Sequence, residues 1–196
     1  NPVVWDVGSR DGDDGVELAR RIYTGQKSQF WKNAVVVCVE PNPDQALVIM
    51  DRYPEAEILE IAASDRGSVS PFMVYHGDAG AVGSSSLNLD WKEDDLEGHE
   101  IYVETARLET LIGDQIIDIM KIDVEGYSVE ALKGLGDKLK QVRILHVETE
   151  DWRKTDKKVK SYLRQRGWEL VDERQQWSGM PDLTFVNSSL ADLKSV

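Results

Sequence analysis

Side chains that could transfer protons gather in two short motifs in the second half of the chain. The motif "KIDVEG" contains Lys121, Asp123 and Glu125, and the motif "LHVETE" contains His146 and Glu148. Alternation along a strand places Lys121 and Asp123 on the same side. Two carboxylates this close repel each other, which favours the uptake of a proton by one of them. These five residues are therefore candidate catalytic residues, with Asp123 as the candidate general base.

Other roles for the same side chains remain open. Carboxylate oxygens also bind Mg²⁺ or Mn²⁺, so Asp123, Glu125 and Glu148 together with a histidine are an alternative metal site. We do not favour a metal, because carboxylates at several strand ends are common in parallel sheets. The acids could also form a structural salt-bridge network, and His146 could be a satisfied core residue. His76, which ends the motif "FMVYH", could face a substrate as well.

The opening motif "VVWDVGSRDGDDG" predicts a strand that ends at Asp6 and a loop that requires glycine. Gly8 and Gly12 allow a tight turn and a close approach of the backbone to a ligand. Their spacing differs from the G-x-G-x-x-G pattern of dinucleotide-binding folds. In open α/β sheets, ligands bind at the carboxyl ends of the strands, where this loop lies.

Two later strand ends point to a ligand that contains a nucleoside. Glu40 ends an apolar run before "PNP", where a carboxylate can accept hydrogen bonds from ribose hydroxyls. In the motif "AASD", Ala63 leaves room for a flat ring. Asp65 could accept a hydrogen bond from an exocyclic amine of that ring, or it could simply cap a turn.

The order of the elements predicts one α/β domain with a parallel, doubly wound sheet. Nearly continuous apolar runs predict strands at 2–7, 34–40, 57–63, 117–124 and 142–148. Apolar residues at helical spacing predict helices at 14–24, 43–53, 128–139 and 156–167. Two further runs, at 168–175 and 182–189, predict a hairpin that adds an antiparallel strand. We expect the part between residues 66 and 116 to be irregular.

Composition excludes several classes of protein. The 196 residues include no apolar run near the ~20 residues of a membrane helix. The net charge of −13 disfavours a nucleic-acid partner, which Lys and Arg clusters would bind. The single cysteine, Cys38, excludes an internal disulfide and lies in a buried-strand pattern. We find no signal peptide before the first strand and expect a cytoplasmic protein.

Five motifs together resemble the FkbM family of class I S-adenosylmethionine-dependent methyltransferases. They are "DVGSRDG", "VEPNP", "AASD", "ARLETLI" and "KIDVEGYSVEALKGL", and they occur in the family's order. "KIDVEG" followed by "LKG" is the specific part, since most of the class shares a "DVGxxxG" pattern. The resemblance implies a seven-stranded, mostly parallel sheet with an antiparallel C-terminal hairpin. It also implies O-methylation of a small hydroxylated acceptor, commonly a sugar of a glycan.

The resemblance further implies which residues bind S-adenosylmethionine. They are Asp6, Gly8, Ser9, Arg10, Gly12, Glu40, Pro41, Ala63, Ser64, Asp65 and Asp123. Family members often carry Asn at the position of Arg10, which could instead pair with the carboxylate of the cofactor's methionine part. The segment "GDAGAVGSSSLNLDW" could close over the site as a lid. Its tryptophan, with Trp152 and Trp177, could stack on a sugar face.

Three other functions would each require a different feature of the sequence. A nucleotide-dependent oxidoreductase would need the G-x-G-x-x-G motif, which is absent. A nucleic-acid 2′-O-methyltransferase would share the proton chemistry but usually has a basic surface. A catalytically inactive binding module would keep the fold without the acidic clusters. Because the first strand begins within three residues of the N-terminus, we expect the sequence to be a domain excised from a longer protein with other domains.

Overall fold

The computed structural model describes residues 1–21, 34–77, 85–89, 97–149, 154–175 and 181–190. The strands in these ranges are β1 (Val3–Val7), β2 (Val35–Val39), β3 (Glu57–Leu59), β4 (Ala62–Ala63), β5 (Ser68–Tyr75), β6 (Gly98–Ala106), β7 (Ile117–Ile122), β8 (Val142–Glu148), β9 (Trp168–Gln175) and β10 (Pro181–Asn187). The α-helices are α1 (Asp13–Arg21), α2 (Pro43–Arg52), α3 (Ser128–Gly134) and α4 (Thr155–Arg164). Short 3₁₀ helices span Leu108–Thr110 and Gly136–Gln141.

Seven strands form the main sheet in the order β3-β2-β1-β7-β8-β10-β9. The first five are parallel, and β10 runs antiparallel to both of its neighbours. The predicted sheet and its C-terminal hairpin are therefore confirmed. The register joins Asp6 to Lys121, Lys121 to His146, and His146 to Thr184. Residues paired in this way point to the same face, so these four side chains form one row across the sheet.

The central strands are apolar because helices and sheet residues cover both of their faces. Val4, Met120 and Leu145, which lie on three adjacent strands, are fully buried. Cys38 is also fully buried in β2, as its sequence context predicted. Of the described helices, none has the length and apolarity needed to cross a membrane.

Two parts of the chain differ from the predictions. The apolar run at 57–63 is two strands, because the chain leaves the main sheet after β3 and enters a second sheet as β4. The part expected to be irregular contains β5 and β6, which pair antiparallel, and β6 also pairs with β4. Sequence analysis missed these strands because one of their faces is solvent-exposed, as Val69 and Tyr102 show. Such strands alternate instead of forming continuous apolar runs.

The predicted helix at 128–139 ends at Gly134, and a 3₁₀ helix continues from Gly136. A Cβ on Gly134 would lie 2.1 Å from the carbonyl oxygen of Ser64. The glycine of the motif "LKG" therefore lets α3 pack closely against the chain that follows β4.

This contact predicts that Gly134→Ala destabilises the domain by about 1–3 kcal/mol or more, since the obstacle is backbone that cannot rotate away. Gly113→Ala is the matched control, because a Cβ there would meet nothing within 4 Å. Urea denaturation should show a lower midpoint for Gly134→Ala only. Equal midpoints for the two variants would contradict the packing role.

Candidate active site

The loop after β1 is tied to the ends of two neighbouring strands. The amides of Gly8 and Ser9 donate to the carbonyl oxygen of Val39, at 2.9 and 3.2 Å. Gly8 has φ +85°, and a Cβ there would lie 1.7 Å from the carbonyl oxygen of Asp123. Gly12 has φ +79°, and a Cβ there would lie 3.1 Å from the side chains of Ile49 and Tyr53. Both glycines thus permit the turn that was predicted, but the close approach is to the protein's own chain.

Asp6 lies beneath this loop and is fully buried. Its Oδ2 accepts a hydrogen bond from the amide of Gly15 at 2.9 Å, and its backbone carbonyl accepts one from Ser9 Oγ at 2.6 Å. Its Oδ1 has no hydrogen-bond partner among the described residues. Burial raises the pKa of Asp6 to about 6. These contacts give Asp6 a role in shaping the loop and the start of α1.

Glu40 follows β2 and holds two loops with its carboxyl group. Its Oε2 accepts from the amide of Arg10 and its Oε1 from the amide of Asn42, both at 2.8 Å. Only 6% of the residue is exposed, and burial raises the pKa of Glu40 to about 7. Asn42 caps α2, since its side chain accepts from the amide of Asp44. Each carboxylate oxygen of Glu40 retains a lone pair for another donor.

Glu40 lies in the wall of a surface pocket, which we call the nucleoside cleft. Its lining comprises Gly8, Arg10, Val39, Glu40, Pro41, Asn42, Gln45, Ile61, Ala62, Ala63, Phe72, Ser85, Leu87, Asp123, Val124, Glu125 and Tyr127. Small and apolar side chains form a slot, and a buried carboxylate stands at its edge. This arrangement fits a nucleoside. The flat base suits the slot, and the two ribose hydroxyls can donate hydrogen bonds to the carboxylate.

Five residues predicted to bind the cofactor lie outside the lining of this cleft: Asp6, Ser9, Gly12, Ser64 and Asp65. Ser9 lines a neighbouring cavity instead. The carbonyl oxygen of Asp65 accepts from Arg107 Nη1 at 2.7 Å. The amide of Ser64 donates to the carbonyl oxygen of Ala106 at 2.9 Å. The structure therefore places Ser64 and Asp65 in contacts that join β4 to the segment after β6.

Lys121 is the centre of an ion-pair network at the end of β7. Its Nζ lies 2.7 Å from Asp14 Oδ2 and 2.8 Å from Asp123 Oδ2. Burial alone would lower the pKa of Lys121, but the charges of Asp123, Asp6 and Asp14 together raise it. Burial tends to raise the pKa of Asp14, and Lys121 reverses this and lowers it. Lys121 and Asp14 therefore stay charged at neutral pH, and Lys121 fixes the position of Asp123.

The neighbouring strand β8 contributes two side chains that are neutral near pH 7. Burial, with the negative charges of Asp123 and Asp182, raises the pKa of Glu148 to about 8. The carboxyl group of Asp123 lies close enough to Glu148 to favour the protonated form of Glu148. Burial lowers the pKa of His146, whose Nδ1 lies 3.0 Å from Thr184 Oγ1.

The turn after Asp123 has an unusual backbone. Glu125 has φ +42°, a left-handed conformation that costs a residue with a Cβ about 1–2 kcal/mol, and Gly126 follows with φ +82°. Ser86 Oγ donates to the carbonyl oxygen of Glu125 and accepts from the amide of Asn88. The segment 85–89 thus holds this turn against the nucleoside cleft.

Two further cavities continue along the same edge of the sheet. The first, the bridging hollow, is lined by Gly8, Ser9, Arg10, Asp14, Lys121, Asp123 and Glu125. The second, the acidic cleft, is lined by Asp14, Glu17, Leu18, Lys121, His146, Glu148 and Asp182. All five predicted catalytic residues therefore border one or both of these cavities.

Several predicted residues lie elsewhere. His76 is exposed and stacks on His99, with their ring nitrogens 2.8 Å apart, and it borders none of the three cavities. Much of the predicted lid, and the tryptophans expected to stack on a sugar, lie outside the described residues. In the described ranges, no group of three His, Cys, Asp or Glu side chains could hold a metal ion.

Sequence analysis missed Asp14, Glu17 and Asp182. Asp14 is in the first turn of α1, where an acid is common because its negative charge interacts favourably with the helix dipole. Asp182 is the second residue of β10. Because β10 pairs antiparallel with β8, Asp182 lies opposite Glu148. No spacing in the sequence marks these acids, because they come from two elements far apart in the chain, α1 and β10.

The three buried acids predict that the domain loses stability as the pH rises. The pKa values of Asp6, Glu40 and Glu148 are about 6, 7 and 8, above those of the unfolded chain. Their protonated forms therefore stabilise the fold fully below about pH 4, and this stabilisation is lost progressively as the pH rises from there through the folded-state pKa of each group. His146, whose pKa is lowered, acts in the opposite direction.

We expect the free energy of unfolding to fall by on the order of 3 kcal/mol between pH 5 and pH 8.5, in urea titrations without ligand. Glu148→Gln should flatten the upper part of this profile. A stability that rises across that interval would show that these carboxyl groups are not protonated in the folded state.

The chain shows sequence and structural similarity to known methyltransferases. It is 27% identical over 158 residues to the hexuronic acid methyltransferase AglP of Haloferax volcanii. The aligned part covers 74% of this chain and 55% of that protein. It is 28% identical over 165 residues to the 2-O-methyltransferase NoeI of Sinorhizobium fredii. This alignment covers 77% of this chain and 64% of that protein. The chain thus spans between half and two thirds of the length of these relatives.

The fold is also that of solved methyltransferase structures. M. capricolum TrmK, determined in complex with S-adenosyl-homocysteine, matches with a TM-score of 0.50 at 7% identity, over 95% of this chain and 62% of that one. The family model of the FkbM methyltransferase domain matches residues 6–170. Since this match covers most of the sequence, the chain belongs to the FkbM methyltransferase domain family.

Proposed function

We propose that this chain is an S-adenosylmethionine-dependent O-methyltransferase that methylates a hydroxyl group of a sugar. The observation that carries the proposal is the lining of the nucleoside cleft, which contains both Glu40 and Asp123. A ribose-binding carboxylate and a candidate base thus border one cavity. Membership of the methyltransferase family supports the cofactor.

The residues present suit each part of S-adenosylmethionine. Glu40 accepts hydrogen bonds from the ribose hydroxyls, and Ala62, Ala63 and Phe72 border the adenine. Arg10, which lines both the nucleoside cleft and the bridging hollow, pairs with the methionine carboxylate. When bound, the cofactor supplies an electrophilic methyl group on a sulfonium centre.

Asp123 accepts the proton of the acceptor hydroxyl. Lys121 holds the Asp123 carboxylate at 2.8 Å, which fixes its position. Glu148, close to Asp123 and protonated near pH 7, limits the negative charge beside the base. The proton that Asp123 takes up can then leave through the acidic cleft to water.

The sugar acceptor is supported by one of the two relatives, and methylation on oxygen by the other. One is named for hexuronic acids and the other for 2-O-methylation.

Two measurements test the proposal. Calorimetry should show that the chain binds S-adenosylhomocysteine, and radiolabelled S-adenosylmethionine should transfer its methyl group to a sugar hydroxyl. Absence of S-adenosylhomocysteine binding by a folded chain would contradict the cofactor assignment. Transfer to a nitrogen or a carboxyl acceptor instead would contradict O-methylation.

A further inference from the structure

The proposed base begins a turn that two different parts of the protein hold. We call residues 123–126 the base turn. The amide of Asp123 donates to the carbonyl oxygen of Val7 at 2.9 Å. The carbonyl oxygen of Asp123 packs so closely on Gly8 that a Cβ there would lie 1.7 Å away. These contacts tie the start of the base turn to β1 and to the loop after it.

Ser86 holds the later part of the base turn. Only 1% of this residue is exposed. Its Oγ donates to the carbonyl oxygen of Glu125 and accepts from the amide of Asn88 at 2.9 Å. Asn88 in turn lies against Gly126, where a Cβ would meet its Nδ2 at 2.8 Å. A serine hydroxyl has one proton to donate, and Ser86 donates that proton to the base turn.

Ser86 itself is fixed to the second sheet. Its amide and its carbonyl oxygen form two backbone hydrogen bonds with Met73 of β5, at 3.0 and 2.9 Å. Its neighbour Ser85 accepts at Oγ from the amide of Tyr75 at 3.2 Å. Since β5 pairs with β6 from Ser68 to Tyr75, Ser86 is anchored to a paired strand. The second sheet therefore acts on the base turn through the hydroxyl of Ser86.

The conformation that Ser86 holds is costly. Glu125 has φ +42°, which costs a residue with a Cβ about 1–2 kcal/mol. Such backbone strain persists only where the surrounding contacts fix it. Glu125 and Asp123 both line the nucleoside cleft and the bridging hollow. Relaxation of Glu125 would therefore change a wall that the two cavities share, two residues from the proposed base.

We infer that Ser86 is a positioning residue for the proposed methyl transfer. Its hydroxyl keeps Glu125 in the left-handed conformation, and so keeps Asp123 and Glu125 in the arrangement that the reaction requires. A misplacement of about 1 Å can lower the rate of such a reaction 10²-fold, because the reacting atoms must meet in line. This inference rests on the proposed function and adds a residue outside the three clefts to its machinery.

Hydrogen exchange in the ligand-free chain tests the structural half of the inference. The amide of Tyr127 donates to the carbonyl oxygen of Val124 at 3.2 Å and closes the base turn. In Ser86→Ala, we expect this amide to exchange about tenfold faster or more, because local opening of the turn becomes easier. The amide of Asp123, which β1 holds, should keep its rate. Equal acceleration of both amides would indicate a general loss of stability and would overturn the inference.

Kinetics test the catalytic half. The acceptor is whichever of phenyl β-glucoside, β-galactoside and β-glucuronide the wild-type chain methylates fastest with radiolabelled S-adenosylmethionine. Ser86→Ala should lower kcat about tenfold or more, with the acceptor KM and the S-adenosylhomocysteine affinity within a few-fold. Expressing kcat per S-adenosylhomocysteine-binding site removes the effect of unfolded protein. A merely structural role for Ser86 would leave this quantity unchanged.

Two further variants assign the effect to the hydroxyl of Ser86. Ser86→Thr keeps the hydroxyl and should recover most of the lost kcat. Ser70→Ala is the matched control, since it removes another hydroxyl of the second sheet, one that contacts Ser68 Oγ at 3.0 Å and borders none of the three cavities. It should leave kcat at the wild-type value.

Each other outcome overturns a defined statement. Unchanged kcat per binding site in Ser86→Ala, or an equal loss in Ser86→Ala and Ser86→Thr, overturns the inference and leaves the methyltransferase function. Transfer to none of the glycosides by a chain that binds S-adenosylhomocysteine overturns both the inference and the sugar acceptor. Failure of the wild-type chain to bind S-adenosylhomocysteine overturns the proposed function itself.

Discussion

Asp123→Asn should lower turnover by about 10²–10⁴-fold, the usual contribution of general-base catalysis, and leave S-adenosylhomocysteine affinity within a few-fold. The amide has nearly the shape of the carboxylate, and its oxygen can still accept from Lys121, which lies 2.8 Å away. It cannot take up a proton from the acceptor hydroxyl. Single-turnover kinetics with saturating cofactor would separate this loss from any loss of binding.

The control for Asp123→Asn is Asp114→Asn, which removes one negative charge from a fully exposed side chain. If Asp123→Asn turns over normally while Glu148→Gln or His146→Ala does not, the base lies on β8. If turnover disappears with EDTA and returns with Mn²⁺, these carboxylates are metal ligands, and the proposed role of Asp123 is wrong.

Glu40→Gln should weaken S-adenosylhomocysteine binding at least tenfold. A carboxylate that accepts two ribose hydroxyls forms hydrogen bonds worth roughly 1.5–3 kcal/mol each. The variant also loses one of the acceptors for the amides of Arg10 and Asn42, so far-UV circular dichroism must first show that it is folded at the titration temperature.

The pH dependence of cofactor binding separates the contact of Glu40 with the ribose from its structural hydrogen bonds to the amides of Arg10 and Asn42. Its pKa is about 7, and hydroxyl donors favour the ionised form. Cofactor binding should therefore release protons, and wild-type affinity should rise from pH 6 to pH 8. Glu40→Gln should lack this rise, whereas Glu57→Gln, an exposed change on β3, should keep it. Unchanged affinity in Glu40→Gln would remove Glu40 from the cofactor site.

Local patterns in the sequence determined most of the main sheet. Nearly continuous apolar runs identified β1, β2, β7 and β8, because a strand covered on both faces carries few polar residues. The short link between the last two runs predicted the hairpin, since two neighbouring strands with a brief connection pair antiparallel. The half-exposed strands β5 and β6 carry no such pattern, and only their pairing in the structure reveals them.

The candidate site shows the same division. Glu40 and Asp123 could be selected from the sequence because each follows a buried strand, and parallel strands end at a common edge. The sequence also selected Asp65, but its position after a strand did not show that it lies outside the nucleoside cleft.

The sequence by itself determined which residues end the parallel strands, and therefore which edge of the sheet carries the candidate site. Only the tertiary structure decided the charge of that edge. Asp14, Lys121 and Asp182 come from a helix and two strands far apart in the chain, and their spacing carries no signal. Burial then changes the pKa of each group by an amount that depends on every neighbour. The protonation of Glu148 beside Asp123 therefore could not be derived from the order of the residues.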